Sequence, residues 1–253
     1  MRYLMFVCSD GETAPEQSAT MRDAVPNWVE QTHDVRLGGH ALADPATAAT
    51  VRVRDGETLV TDGPFVETKE QVGGFDVIDC ADLDEAIEVS AKHPVSWFHM
   101  IEVRPFEAAW GSTDPHEPWA DPVPLDRPVP PGHRRYALLI CDDGTPKTDA
   151  EEASVGAGCD AWRQARLDSG GQLFGHPLLT ADTATTVRVR DGNTLLTDGP
   201  FVESKEFIGG ISVVDCASRA DAIEIAAAHP MALSHMVEVR PFAGDPLGDW
   251  PVD

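Results

Sequence analysis

Histidine titrates near neutral pH and a neighbouring carboxylate can fix its tautomer, so matched histidines and acids are the first places to look for acid–base chemistry. Six of the nine histidines fall into three pairs with like neighbours: His40 and His176 after glycine, His93 and His229 before proline, His99 and His235 before methionine. Asp62 and Asp198 each open an Asp-Gly-Pro-Phe segment, followed by Glu67, Lys69 and Glu70 in one case and Glu203, Lys205 and Glu206 in the other. Asp62, His40, Asp198 and His176 are the candidate catalytic groups. Glu67, Lys69, Glu203, Lys205, His99 and His235 are the candidate ligand-binding groups.

Each of these residue types also has a purely structural use. An imidazolium before proline at a helix end complements the last carbonyls and the helix dipole. A histidine at a strand start packs or stays wet, and an Asp opening a turn accepts from the backbone N–H two residues on. The Glu-Lys-Glu alternation discourages edge-to-edge strand pairing.

No HxH, HxxxH or HExxH spacing occurs, and the five cysteines form neither a CxxC pair nor an even disulfide set. Cys8, Cys80, Cys141 and Cys216 lie in apolar, strand-like runs where a thiol packs as a small hydrophobe. There is no GxSxG elbow, P-loop or GxGxxG either, so neither a metal nor a cofactor is expected.

The elements that must position these groups come twice. TVRVRDGETLVTDGPFVETKEQVGG through HMIEVRPF, from Thr50 to Phe106, recurs from Thr186 to Phe242 as TVRVRDGNTLLTDGPFVESKEFIGG through HMVEVRPF. Roughly 39 of 62 aligned positions are identical, which identifies a tandem duplication. Copy one spans residues 1–106 and copy two 135–242. A proline-rich linker fills 107–134, and 243–253 form a tail.

Within each copy, YLMFVC and YALLIC read as short buried strands. A helix follows, over Glu16 to Val35 in copy one, where Pro26 is expected to kink or interrupt it. Next come a strand at Leu37 to Leu42 and a hairpin turning on Asp55-Gly56 or Asp191-Gly192, the dipeptide of type I′ turns. A strand beginning at Gly-Gly leads to a second helix capped by Asp82 or Ser218, and HMIEVRPF or HMVEVRPF closes the domain.

The order β-α-β-(hairpin)-β-α-β predicts an α+β fold of two ferredoxin-like βαββαβ domains with an inserted hairpin, packed as an internal pseudo-dimer. That plan places Ser9, Asp10, His40, the Asp62–Glu70 loop, His93 and His99 at one edge of the copy-one sheet. It does the same for Asp142, Asp143, His176, the Asp198–Glu206 loop, His229 and His235 in copy two.

TDGPFVETKEQVGGF and TDGPFVESKEFIGGI, with the ATTVRVRDG hairpin and the closing EVRPF, resemble the YCII-related family in its DGPF-loop branch. The resemblance covers both copies nearly end to end. It implies ferredoxin-like domains paired as a dimeric α/β barrel with a pocket between the sheets. It also implies kinship with small-molecule enzymes that use a His and Asp pair, the His on the first helix. Here His33 lies late in that segment, and copy two has no His between Arg135 and His176. Members of the branch are often encoded beside alternative sigma factors, which implies a regulatory or stress-linked partner.

The net charge of −24, from 43 acidic and 19 basic residues, repels phosphate backbones and anionic headgroups. Nucleic acid and membrane are therefore not expected partners, and the absence of a signal-like or long apolar run leads to a cytoplasmic expectation. Two functional classes follow. One is a small-molecule lyase or hydrolase with its pocket at the DGPF rim; the other is a non-catalytic ligand-binding or protein-interaction module.

Overall fold

The computed structural model describes residues 1–11, 13–65, 69–107, 125, 127–142, 145, 148–201 and 206–244. Copy one contains β1 (Arg2–Ser9), α1 (Pro15–Gln31), β2 (Arg36–Ala41), β3 (Ala49–Arg54), β4 (Glu57–Asp62), β5 (Gln71–Asp79), α2 (Leu83–Lys92) and β6 (Met100–Pro105). Copy two contains β7 (Arg134–Asp142), α3 (Asp149–Asp168), β8 (Gln172–Pro177), β9 (Thr185–Arg190), β10 (Asn193–Asp198), β11 (Phe207–Cys216), α4 (Arg219–Ala227), α5 (Pro230–Ser234) and β12 (Met236–Pro241).

Local chemistry accounts for the element ends. Asp82 accepts from the Glu85 N–H at 3.0 Å and Ser218 from the Asp221 N–H at 3.1 Å, which caps α2 and α4. Asp55 and Gly56, with φ of 52° and 79°, take the left-handed pair of angles that a type I′ hairpin requires. Helix α1 runs on through Pro26 and ends at Gln31, four residues before the predicted limit at Val35.

All strand pairs are antiparallel and form two six-stranded sheets, ordered β10-β9-β6-β1-β5-β2 and β4-β3-β12-β7-β11-β8. Four strands of the first, β6-β1-β5-β2, keep the ferredoxin-like order, and β12-β7-β11-β8 repeat it. The outer two strands of each sheet come from the other copy. The β9–β10 hairpin of copy two pairs with β6, aligning Val187 with Ile101, while the β3–β4 hairpin of copy one pairs with β12, aligning Val51 with Val237.

The compact units therefore do not coincide with the sequence copies. Unit 1 comprises Met1–Ala41, Thr68–Pro124 and Leu178–Glu203; unit 2 comprises Leu42–Glu67, Leu125–Pro177 and Ser204–Asp253. Val187 is buried with Tyr3, Met5, Trp28, Ile101 and Val103 in the unit 1 core. Ala49 and Val51 are buried with Tyr136, Leu138, Trp162 and Val237 in that of unit 2.

Strand β2 lies at the far edge of its sheet, so a hairpin joining its own β6 would sit four strand spacings away, about 19 Å. The link from β2 to β3 instead coils through a 3-10 turn at Pro45–Thr47, and Leu42 bridges to Phe242. No helix among the described residues is long and apolar enough to cross a membrane.

Candidate active site

The exchanged hairpin delivers each DGPF loop to the closing strand of the other copy. Gly199, at φ 99°, turns the loop back so that its N–H donates to Ala184 O at 2.9 Å while its carbonyl accepts from Thr186 Oγ1 at 3.0 Å. The Phe201 N–H then donates to Glu102 Oε2 at 2.8 Å. Arg104 Nη1 donates to Glu102 Oε1 at 3.0 Å, and its Nη2 to Leu179 O at 2.8 Å. Unit 2 repeats the arrangement: the Phe65 N–H donates to Glu238 Oε2 at 2.9 Å, and Arg240 holds the other carboxylate oxygen and Ala43 O. Glu102, Arg104, Glu238 and Arg240 are each at most 1% exposed. These pairs lock loop to strand. Burial pushes the Glu102 carboxyl up against the opposing pull of Arg104.

Beside this lock in unit 1, three side chains form a line. His99 Nδ1 lies 2.9 Å from Asp10 Oδ1, and His99 Nε2 lies 2.7 Å from Thr13 Oγ1. Burial opposes the charge on Asp10, but the hydrogen bond and electrostatic pull of His99, with help from Arg188, leave its carboxyl below the ordinary value. An ionised Asp10 can only accept, so Nδ1 carries the proton. In the neutral ring the Nε2 lone pair then accepts from the Thr13 hydroxyl. Asp10 follows β1, Thr13 precedes α1 and His99 precedes β6, so strand ends and a helix start build the group. His99 is 5% exposed, whereas the Asp10 side chain is 37% exposed and forms the open side.

In unit 2, His235 Nε2 comes within 3.6 Å of Asp142 Oδ1. Asp143, the residue that matches Asp10, lies outside the described residues.

The histidines before proline are buried and neutral. Burial, then Arg36, push His93 down to about 3; burial pushes His229 down to about 4. Each Nδ1 accepts a backbone N–H, from Val95 or Met231, at 3.2 Å and so caps the turn that follows. The expected imidazolium at a helix end is thus replaced by a neutral acceptor at a helix start. Trp28 and Trp162 meet these rings edge-on at 4.4 and 4.5 Å.

In unit 1 the His93 Nε2 also comes within 3.8 Å of Asp76, which Arg36 Nε contacts at 2.7 Å. Burial raises the Asp76 carboxyl to about 6 despite Arg36. Because His93 is neutral, its approach to Asp76 is not an ion pair near neutral pH. Copy two has Ser212 at the position matching Asp76.

The exchange divides the rim residues of each copy between the two units. His40 is exposed on edge strand β2 of unit 1, paired with Phe75, whereas Asp62 ends β4 in unit 2. Asp62 does not close its own turn; its Oδ1 accepts from Arg219 Nη2 at 2.9 Å. His176 is half-buried against Phe174 in unit 2, and Asp198 is exposed at the end of β10 in unit 1. Lys69 is exposed; Glu67, Glu203 and Lys205 lie outside the described residues. His99 and His235 each lie against a carboxylate from their own copy.

Thr13, Glu102 and Arg104 were not singled out by type or spacing. The signal for the last two was the recurrence of EVRPF as one block with DGPF. Among the described residues no group of three or more His, Cys, Asp or Glu is arranged to hold a metal ion.

The duplication, the ferredoxin-like strand order and the DGPF–EVRPF contact agree with a profile of the YCII-related domain, which matches residues 1–107 and again 135–243. The chain belongs to the YCII-related family. A curated relative, an uncharacterized protein of Rhizobium meliloti (strain 1021), is 49% identical over 74 residues, covering 29% of this chain and 60% of the relative. The match therefore spans about three fifths of that relative's length. In this YCII-related protein the two matched segments each surrender their hairpin to the other's sheet.

Proposed function

We propose that unit 1 is a general acid–base site of a small-molecule hydrolase or lyase, with His99 as the base. The observation that carries this reading is the line Asp10–His99–Thr13, with a carboxylate on one ring nitrogen and a hydroxyl on the other. Asp10 orients the ring and stabilises the imidazolium that forms when Nε2 takes a proton. That proton comes from the Thr13 hydroxyl, or from a water or substrate group that occupies the hydroxyl's place. The proton then returns from Nε2 to the leaving group, so the base of one half-reaction is the acid of the other.

Turnover assays on the purified protein with small esters, lactones and hydroxy acids test the reading. His99→Gln and Asp10→Asn are each expected to lower kcat by roughly 100-fold to 10,000-fold. Thr13→Val separates the two proton sources: loss of turnover assigns the hydroxyl as nucleophile, and retained turnover assigns water or substrate. Full activity in both His99→Gln and Asp10→Asn would defeat the proposal. A folded protein that binds small ligands and turns none over would favour the non-catalytic binding module.

A further inference from the structure

We infer that the unit 1 site takes a substrate bearing a single carboxylate, and that Arg188, a residue contributed by copy two, is its anchor. The inference rests on the acid–base reading of Asp10, Thr13 and His99 and adds the substrate class.

Strand alternation sets it up. Val187 points into the unit 1 core, so Arg188 and Arg190 turn to the opposite face of β9, the face that also carries Cys8, Met100 and Glu102. Arg190 is fully occupied by backbone. Its Nη1 donates to Ser96 O at 2.9 Å, and its Nη2 donates to Phe98 O at 2.9 Å and His99 O at 3.1 Å. It clamps the turn that presents His99, which makes it a positioning residue.

Arg188 has no such occupation. Its Nη2 donates to Met100 Sδ at 3.1 Å, and a thioether is a weak acceptor. It makes no ion pair among the described residues, in a chain where acids outnumber bases 43 to 19. It is half-buried, so part of its hydration is already lost. Met100 directly follows His99 and pairs with Cys8, so this contact sets the guanidinium at the same sheet end as the acid–base line.

Pairing selects the ligand. Glu102 is held by Arg104, Asp10 by His99, and Arg190 by backbone carbonyls, so Arg188 is a cation left without a carboxylate among the described residues, and the Cys8 thiol adds no charge because burial and Glu102 hold it protonated. A monoanionic carboxylate neutralises that guanidinium and matches its planar fork of N–H donors. A phosphate dianion would crowd a second negative charge beside Asp10 and Glu102. Unit 2 holds a matching arginine, Arg52, whose Nη2 donates to Met236 Sδ at 3.2 Å, and it provides an internal comparison.

The methionine contact supplies a direct reporter. The full chain, labelled with carbon-13 at its six methionine methyl groups, is titrated with sodium propionate, with sodium chloride at equal ionic strength, and with inorganic phosphate. Propionate is expected to shift the Met100 methyl signal saturably, chloride is not, and phosphate is expected to bind more weakly. Arg188→Ala is expected to weaken the propionate response by roughly tenfold or more, the loss of one charge-assisted hydrogen-bonded contact, with Arg188→Lys between it and the native protein. An unchanged Met5 signal certifies the fold of each variant.

A Met100 signal that ignores propionate, or that responds equally in folded Arg188→Ala, would overturn the inference; phosphate binding as tightly as propionate would overturn its monoanion choice. Propionate binding without any turnover would remove the acid–base reading and leave the anchor standing. Turnover with no propionate binding would do the reverse.

Discussion

Units 1 and 2 are built from nearly interchangeable parts, yet their polar groups are arranged differently. Each has a closing strand whose buried Glu and Arg hold the DGPF loop of the other copy, Glu102 with Arg104 in one and Glu238 with Arg240 in the other. The difference lies beside the buried histidines that precede proline. Asp76 and Arg36 join His93 in unit 1, while Ser212 takes the place of Asp76 in copy two. The lesson is that duplication kept the contacts that assemble the sheets and left the groups that could do chemistry free to diverge.

The largest expected effect is catalytic. His99→Ala is expected to remove turnover by a factor of roughly 100 to 10,000, measured as kcat on any substrate found for the native protein, and His235→Ala reads what the matching position of unit 2 contributes. Unchanged kcat in His99→Ala would remove unit 1 from catalysis, and equal losses in both variants would make the two sites equivalent.

The locks, by contrast, should behave alike. Arg104→Ala and Arg240→Ala each strand a buried carboxylate and are expected to destabilise by about 3 to 5 kcal/mol in urea unfolding. A variant that costs less than about 1 kcal/mol would show that its lock contributes little to the fold.

Acid should separate the units. In unit 2, His229 is held down to about 4 when folded and titrates near 6.5 when unfolded. The unfolded chain binds the extra proton, so stability is lost as pH falls from about 6.5 to 4, on the order of 3 kcal/mol. In unit 1, His93 has the same sign, lost from about 6.5 towards 3, but Asp76 has the opposite one. Its folded value of about 6 lies above the unfolded value near 3.9, so the native state binds the extra proton and gains stability as pH falls through that window. The indole N–H of Trp162, bonded to Ile225 O, should therefore lose exchange protection on acidification before that of Trp28, bonded to Val89 O. Asp76→Ser should erase the difference.

The smallest effect belongs to the surface. Arg219 pairs with Asp62 in unit 2, and copy one has Leu83 where copy two has Arg219. The Asp62 side chain is 82% exposed, so Arg219→Leu should cost less than about 1 kcal/mol, and less still in high salt. A larger loss would raise Asp62 from a surface partner to a structural one.

Much of this was readable from residues alone. The repeat, the Asp-Gly turns with their positive φ, the caps at Asp82 and Ser218 and the ferredoxin-like order are each set by a few neighbours in sequence, where local backbone and hydrogen-bond chemistry decides. His99 and His235 could be named as candidates, but not their partners. What sequence could not decide was which sheet each hairpin would join, because VRVRDG and EVRPF are identical in both copies and either pairing buries the same valines. Only the tertiary path of the chain, with β2 at the far edge and a coiled link after it, sends the hairpin to the other copy's closing strand. That one choice puts Asp62 and His40 in different units, brings Phe201 to Glu102 and carries Arg188 to the end of the sheet where His99 and Asp10 meet.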